Sequence, residues 1–88
     1  MTVLEITLLT QEDCGFCTHA KEILGRLRAD FSLTVTELDM TTESGRAMAL
    51  EHGIFFAPGL FIDGEPFSYG RVSEKKLRKT FRKRVDEG

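Results

Sequence analysis

Asp13-Cys14-Gly15-Phe16-Cys17-Thr18 holds the only two cysteines of this 88-residue chain, two residues apart. Upstream lies an apolar run, Val3-Leu4-Glu5-Ile6-Thr7-Leu8-Leu9. Downstream, Ala20, Ile23, Leu24 and Leu27 recur at the three- and four-residue spacing of an amphipathic helix. The pair therefore stands where a strand hands over to a helix, and C-x-x-C at such a junction predicts a redox-active dithiol. The attacking species in thiol chemistry is the thiolate, and a helix start offers it unpaired N–H groups and the positive end of the helix dipole. Cys14 at the N-cap then carries the exposed sulfur. Cys17, one turn on, lies on the same side, within reach of an internal disulfide. Two buried, inert cysteines would be the bland alternative, and the strand–helix placement argues against it.

Composition bounds the rest. The length predicts one domain over residues 1–88, near the small end of chains that fold unaided. Apolar residues make up 41% and charged residues 30%, enough for one core and too ordered a mixture for disorder. No apolar run approaches the roughly 20 residues that span a bilayer. The start of the chain, Met1-Thr2-Val3-Leu4-Glu5, lacks the basic and apolar regions of a signal peptide, and two cysteines are too few for a disulfide-stapled secreted scaffold. A cytoplasmic monomer is expected. The charge is unevenly spread: residues 1–70 carry 4 Lys/Arg against 11 Asp/Glu, and residues 71–88 carry 8 against 3. The basic tail reads as a solvated helix face beside an acidic body, with no nucleic acid and no membrane as partner.

Along the chain, residues 3–9 predict a strand buried on both faces, and the first helix ends near Ala29. Gly25 within that helix reads as a close approach to the sheet. Leu33-Thr34-Val35-Thr36-Glu37-Leu38-Asp39 alternates and predicts a second strand, parallel to the first through a right-handed crossover. Thr41 or Thr42 caps a short helix that stops at Gly53. Asp63-Gly64 between Leu60-Phe61-Ile62 and Pro66-Phe67-Ser68-Tyr69 predicts a hairpin, with Pro66 confined to an edge or to a strand start. Ser73-Glu74 opens a last helix whose apolar stripe is Leu77, Phe81 and Val85.

The order β-α-β-α-β-β-α, with C-x-x-C at the first junction and Pro58 just before the third strand, resembles the thioredoxin fold in its minimal, glutaredoxin-sized form. The expected class is α/β, a four-stranded mixed sheet flanked by three helices. The resemblance rests on Cys14-Gly15-Phe16-Cys17 and on Glu51-His52-Gly53-Ile54-Phe55-Phe56-Ala57-Pro58 running into the hairpin. It implies a cis peptide before Pro58, packed beside the cysteines, and a backbone at Ala57 that pairs with an extended substrate. From the residues alone, a proline ahead of a strand usually closes a loop in trans.

Departures from the family bear on the electron donor. Thioredoxins place Trp before the first cysteine, Gly-Pro between the pair and a buried Asp where Leu8 stands. Glutaredoxins carry a Lys where Gln11 stands and a glycine pair of which only Gly70 is matched; Phe16 is glutaredoxin-like. The expected activity is dithiol–disulfide exchange on protein or small-molecule disulfides. Cys14 attacks, Cys17 resolves, and Phe16, Ala57, Pro58 and Gly70 meet substrate. No cofactor or metal is called for, and electrons come from a reductase of thioredoxin-reductase type or from glutathione. The alternatives are a redox-inactive adaptor of the same fold, a glutathione-dependent glutaredoxin, and a nucleic-acid or membrane contact made by the basic helix of residues 74–84. Cys14, Cys17, His19 and His52 lack zinc-site spacing. His19 reads as an exposed residue, with electrostatic tuning of Cys17 as its second reading. Glu12 and Asp13 set negative charge beside the sulfur, against the helix dipole.

Overall fold

The structure is a computed structural model and describes residues 3–87. Its elements are β1 (Val3–Thr10), α1 (Gly15–Leu27), β2 (Ser32–Asp39), α2 (Glu43–His52), β3 (Gly59–Ile62), β4 (Glu65–Tyr69) and α3 (Glu74–Glu87). The strands form one sheet in the order β2-β1-β3-β4. β1 pairs parallel with β2 and antiparallel with β3, and β3 pairs antiparallel with β4, so the sheet is mixed as expected.

Side-chain alternation divides the core between the two faces of this sheet. Leu4, Ile6 and Leu8 of β1, with Leu60 and Ile62 of β3, face α1 and α3 and meet Ala20, Ile23, Leu24, Leu27, Leu77 and Phe81. Phe31 closes the end of that layer edge-on against Phe81, ring centroids 5.6 Å apart. On the other face Leu9 and Phe61 pack with Ala49 of α2 and with Ile54. α2 is only 10 residues long and so covers only part of that face. Val3 and Glu5 are consequently exposed, which corrects the expectation that β1 is buried along its length on both faces.

Local chemistry sets the boundaries. Thr42 caps α2 by accepting from the Gly45 N–H at 3.1 Å, and Gly53 ends the helix in the left-handed region at φ 66°. Asp63 and Gly64 turn the hairpin at φ 51° and 83°, the two positive values of a type I′ turn. Pro66 lies on the edge strand, where its missing N–H costs no ladder bond. A register shift between Leu60 and Phe61 leaves Phe67 as the extra residue of a bulge.

Three further expectations are corrected. α1 ends at Leu27 rather than near Ala29, because Arg28 already takes the C-cap. Gly25 is exposed, and a Cβ built on it meets nothing within 4 Å, so no close packing explains it. Val85 is exposed; the apolar stripe of α3 buries only Leu77 and Phe81, since the last turn passes the end of the core.

Candidate redox site

The turn after β1 brings Cys14 to the start of α1. Asp13 takes a left-handed backbone (φ 55°), and Cys14 follows in extended geometry as the N-cap. Its sulfur accepts the Cys17 backbone N–H at 3.1 Å, so a thiol does what a capping hydroxyl does elsewhere. Its carbonyl accepts the Thr18 N–H at 3.3 Å. Both cysteines are free thiols, Cys14 half-buried and Cys17 only 3% exposed.

This difference in burial separates their chemistry. Burial first, and then the hydrogen bond with Cys14, push the Cys17 thiol up to about 11. The Gln11 backbone and the Lys21 charge act the other way. Lys21, one turn beyond Cys17, is thus a cation that lowers this value. Lys21 pairs with Glu37 of β2 at 3.0 Å. His19 is exposed on α1, as the sequence suggested. His52 sits on the other layer, its ring 4.9 Å from Phe61. Among the described residues, no three His, Cys, Asp or Glu side chains converge on a metal-sized site.

The second wall is the loop between α2 and β3. Ile54 is buried and hydrogen-bonded to the Ala49 carbonyl at 2.8 Å, which anchors the loop below and turns Phe55 and Phe56 outward. The Ala57–Pro58 peptide is cis. Ala57 turns its carbonyl to the Cys14 sulfur, 3.8 Å away, and Pro58 is fully buried beneath it. Gly70 donates its N–H to the Pro58 carbonyl at 2.7 Å from a φ of 84°, a conformation that favours glycine. Four of the five residues singled out around Cys14 thus meet here: Cys17, Ala57, Pro58 and Gly70. The fifth, Phe16, is 54% exposed one residue before Cys17.

Phe55, Phe56 and Tyr69, read from the sequence only as loop and strand residues, are exposed in the structure. Phe56 is 56% exposed and packs tilted against Tyr69, itself 50% exposed, with ring centroids 5.3 Å apart; Phe55 is 80% exposed. The signal was present in the doublet Phe55-Phe56 between the buried Ile54 and the buried Ala57-Pro58, where both aromatic rings are left outside the core. Three exposed aromatic rings in so short a stretch of fold form an apolar patch beside the cysteine loop.

A four-stranded mixed sheet, three helices and a cysteine pair at the first strand–helix junction beside a cis proline define a thioredoxin-fold protein with a dithiol site. The chain belongs to the glutaredoxin-like domain family (DUF836), whose family model matches residues 5–82. A curated relative from Archaeoglobus fulgidus, described as a probable thioredoxin, is 28% identical over 76 residues, covering 86% of this chain and 84% of the relative. The solved thioredoxin-like protein BC3987 is 28% identical with a TM-score of 0.67, covering 84% of this chain and 96% of that one. A mutant thioredoxin from Halobacterium salinarum NRC-1 shares the fold at TM-score 0.67 and 21% identity, covering 91% of this chain and 73% of its own. Together with the cysteine pair, these likenesses support a redox role. No helix among the described residues is long and apolar enough to cross a membrane.

Proposed function

We propose that the protein is a dithiol–disulfide oxidoreductase acting on protein disulfides. The observation that carries this reading is the 3.1 Å contact between the Cys17 N–H and the Cys14 sulfur, with the second thiol buried one turn behind. The Cys14 thiolate attacks one sulfur of a substrate disulfide; that S–S bond breaks, and the departing thiolate takes up a proton. Cys17 then loses its proton and attacks the Cys14 sulfur of the mixed disulfide. The second substrate thiolate leaves and is protonated, and Cys14–Cys17 is left as an internal disulfide. Two electrons and two protons pass to the substrate. No cofactor is needed for the exchange itself. The Ala57 backbone beside Cys14 offers an extended segment a hydrogen-bonding edge, while Phe16, Phe56 and Tyr69 offer it apolar contact.

The test is trapping. Mixed with a protein disulfide, Cys17→Ser gives a stable covalent adduct by mass spectrometry, and Cys14→Ser gives none. Equal adducts from both variants would overturn the assignment of Cys14 as the nucleophile, and no catalysis of insulin reduction by the wild type with dithiothreitol would favour a redox-inactive adaptor instead.

The electron donor in this reading is a flavoenzyme of thioredoxin-reductase type. Gln11 stands where glutaredoxins hold a cation, and exposed Glu12 and Asp13 repel an anionic tripeptide. One observation favours glutathione as a second reading: His19 and Arg71, with Gly15 and Phe16, line a hollow of about 500 Å³ beside the start of α1. A coupled NADPH assay with each reducing system, at matched protein concentration, decides between them. Faster turnover with glutathione and its reductase overturns the flavoenzyme assignment.

A further inference from the structure

β2 is an edge strand, with β1 on one side and no strand on the other. The Met40 N–H reaches the Thr10 carbonyl of β1 at 2.8 Å, so by alternation Leu38, Thr36 and Thr34 also turn their backbone groups towards β1. Leu33, Val35 and Glu37 turn theirs to the open side. Among the described residues, no backbone group outside the sheet meets them. The opposite edge, β4, is blunted by Pro66 and by the bulge at Phe67. β2 has no such protection: Ser32-Leu33-Thr34-Val35-Thr36-Glu37-Leu38-Asp39 holds no proline and no lysine, and it pairs with β1 in unbroken register.

The side chains beside this edge are also left open. Leu33 and Val35 are half-buried against the α1 and α3 layer, so the apolar core runs out to the edge and stops uncovered. α1 lies antiparallel to β2: Lys21 pairs with Glu37 at 3.0 Å, and the Phe31 N–H returns to the Leu27 carbonyl before the strand begins. Between these points Lys21, Leu24, Gly25, Arg28, Val35 and Glu37 line a hollow of about 260 Å³. Gly25 weakens its helix, and a Cβ built on it meets nothing, so its bareness serves no packing within the chain. Arg28 is exposed and, among the described residues, pairs with no carboxylate.

We propose that two copies of the chain pair antiparallel through β2, with Val35 on the two-fold axis, joining their four-stranded sheets into one. A second copy is the occupant because the edge is complementary to itself. With Val35 opposite Val35, Leu33 lies opposite Glu37 of the other copy, and all three outward-turned residues exchange backbone bonds. A shift of two residues either way sets one of them against Phe31, whose N–H is given to Leu27, or against Asp39, whose carbonyl accepts from Thr42. On the helix side, Glu37 of the other copy arrives at the Leu33 end of the hollow, where α1 closes in the unpaired Arg28. The bare Gly25 leaves room over the two valines. On the other side Thr34 meets Thr36, a favourable cross-strand pair, once on each side of the axis. The blunted β4 edge stops further addition, so assembly closes at two. The Pro58 loop leads into β3, across β1 from this edge, and both dithiols stay open. Such a dimer departs from the monomer expected from the sequence, because an open edge follows from strand order and not from composition.

The test is sedimentation of the full chain, kept reduced by a phosphine so that no intermolecular disulfide contributes. The chain is a dimer at about 0.5 mM and a monomer at about 5 μM, the range of a small interface. Arg28→Glu and Glu37→Lys change exposed residues, and each weakens association about tenfold or more by setting like charges across the axis. Mixed in equal amounts, the two variants form a heterodimer in which both cross-axis contacts are again of opposite sign. Association then returns to within about threefold of the wild type. Hydrogen exchange gives the register: the Leu33, Val35 and Glu37 amides slow about tenfold or more on going from monomer to dimer. A chain still monomeric at about 0.5 mM overturns the pairing. A dimer indifferent to both charge reversals, or lost in each variant and not regained on mixing, overturns this edge and this register. Slowed exchange elsewhere, with these three amides unchanged, places the contact on another face and likewise overturns it.

Discussion

The Cys17 N–H donates to the Cys14 sulfur at 3.1 Å, a contact that adds to the difference in burial between two cysteines of the same helical turn. It holds the Cys14 sulfur at the end of α1 where negative charge is favoured. It also leaves the Cys17 side chain behind that sulfur, in the core layer with Ala20 and Leu24.

The inequality is measurable by alkylation. With Cys17 raised to about 11, chiefly by burial, its thiol is protonated at neutral pH. Iodoacetamide at pH 7 modifies Cys14 and spares Cys17. In Cys14→Ser the hydrogen bond and charge of Cys14 are gone but burial is not, so Cys17 stays above its ordinary value. Its labelling rate therefore climbs about tenfold per pH unit from pH 7 and is still rising where an ordinary cysteine has levelled off. Labelling of Cys17 at the rate of a free thiol at pH 7 would contradict this.

Lys21 acts on the same sulfur with the opposite sign, since its positive charge lowers the Cys17 value. Lys21→Met removes that charge, reduces the thiolate fraction at any given pH and slows resolution of the mixed disulfide. The ammonium is half exposed and tied to Glu37, so the slowing is about a few-fold. Stopped-flow release of the substrate thiol reads it, and formation of the mixed disulfide by Cys14 is unaffected. An unchanged release rate would remove Lys21 from the mechanism.

Two glycines separate backbone freedom from close contact. Gly25 is exposed inside α1 with open space at its Cβ position, so Gly25→Ala stabilises the chain by about 0.5–1 kcal/mol. At Gly45 a Cβ overlaps the Asp39 backbone carbonyl, which cannot swing aside, so Gly45→Ala destabilises by about 1–3 kcal/mol. Urea midpoints at constant slope test both, and a shift of the same sign in the two variants would refute the distinction.

Most of the fold was legible in the sequence because its signals are local. Cys14 at a helix start, Gly53 after a helix and Asp63-Gly64 between apolar runs each fix a backbone geometry by their own chemistry. What was not legible depended on neighbours distant in the chain. Whether Gly25 meets the sheet depends on how α1 lies across β1, and the burial of β1 depends on the reach of the short α2. The charge of Lys21 near Cys17 depends on its pairing with Glu37 of β2, a contact between residues 16 positions apart. The aromatic rim is the clearest case. Phe56 and Tyr69 are 13 positions apart in the sequence, and only the closing of the β3–β4 hairpin beside the Pro58 loop brings their rings to 5.3 Å.

That rim gives the final prediction. Phe16 and Phe56 are more than half exposed, so each has apolar area to lose against a substrate but little to hold in the core. Complete burial of a Phe side chain is worth about 1.5–3 kcal/mol, and partial cover by a docked segment a fraction of that. Phe16→Ser with Phe56→Ser therefore lowers kcat/KM for a protein disulfide roughly tenfold, while bis(2-hydroxyethyl) disulfide, too small to reach the rim, is reduced at the wild-type rate. Phe55→Ser, at the most exposed aromatic, marks how far the contact extends beyond Pro58. The small disulfide is the control for damage to the dithiol, because Phe16 lies between the two cysteines. If both substrates slow in parallel, the substitutions have disturbed the start of α1 and the rim is not a substrate contact. A selective loss on the protein substrate alone identifies Phe16 and Phe56 as the surface on which its chain rests while the sulfurs exchange.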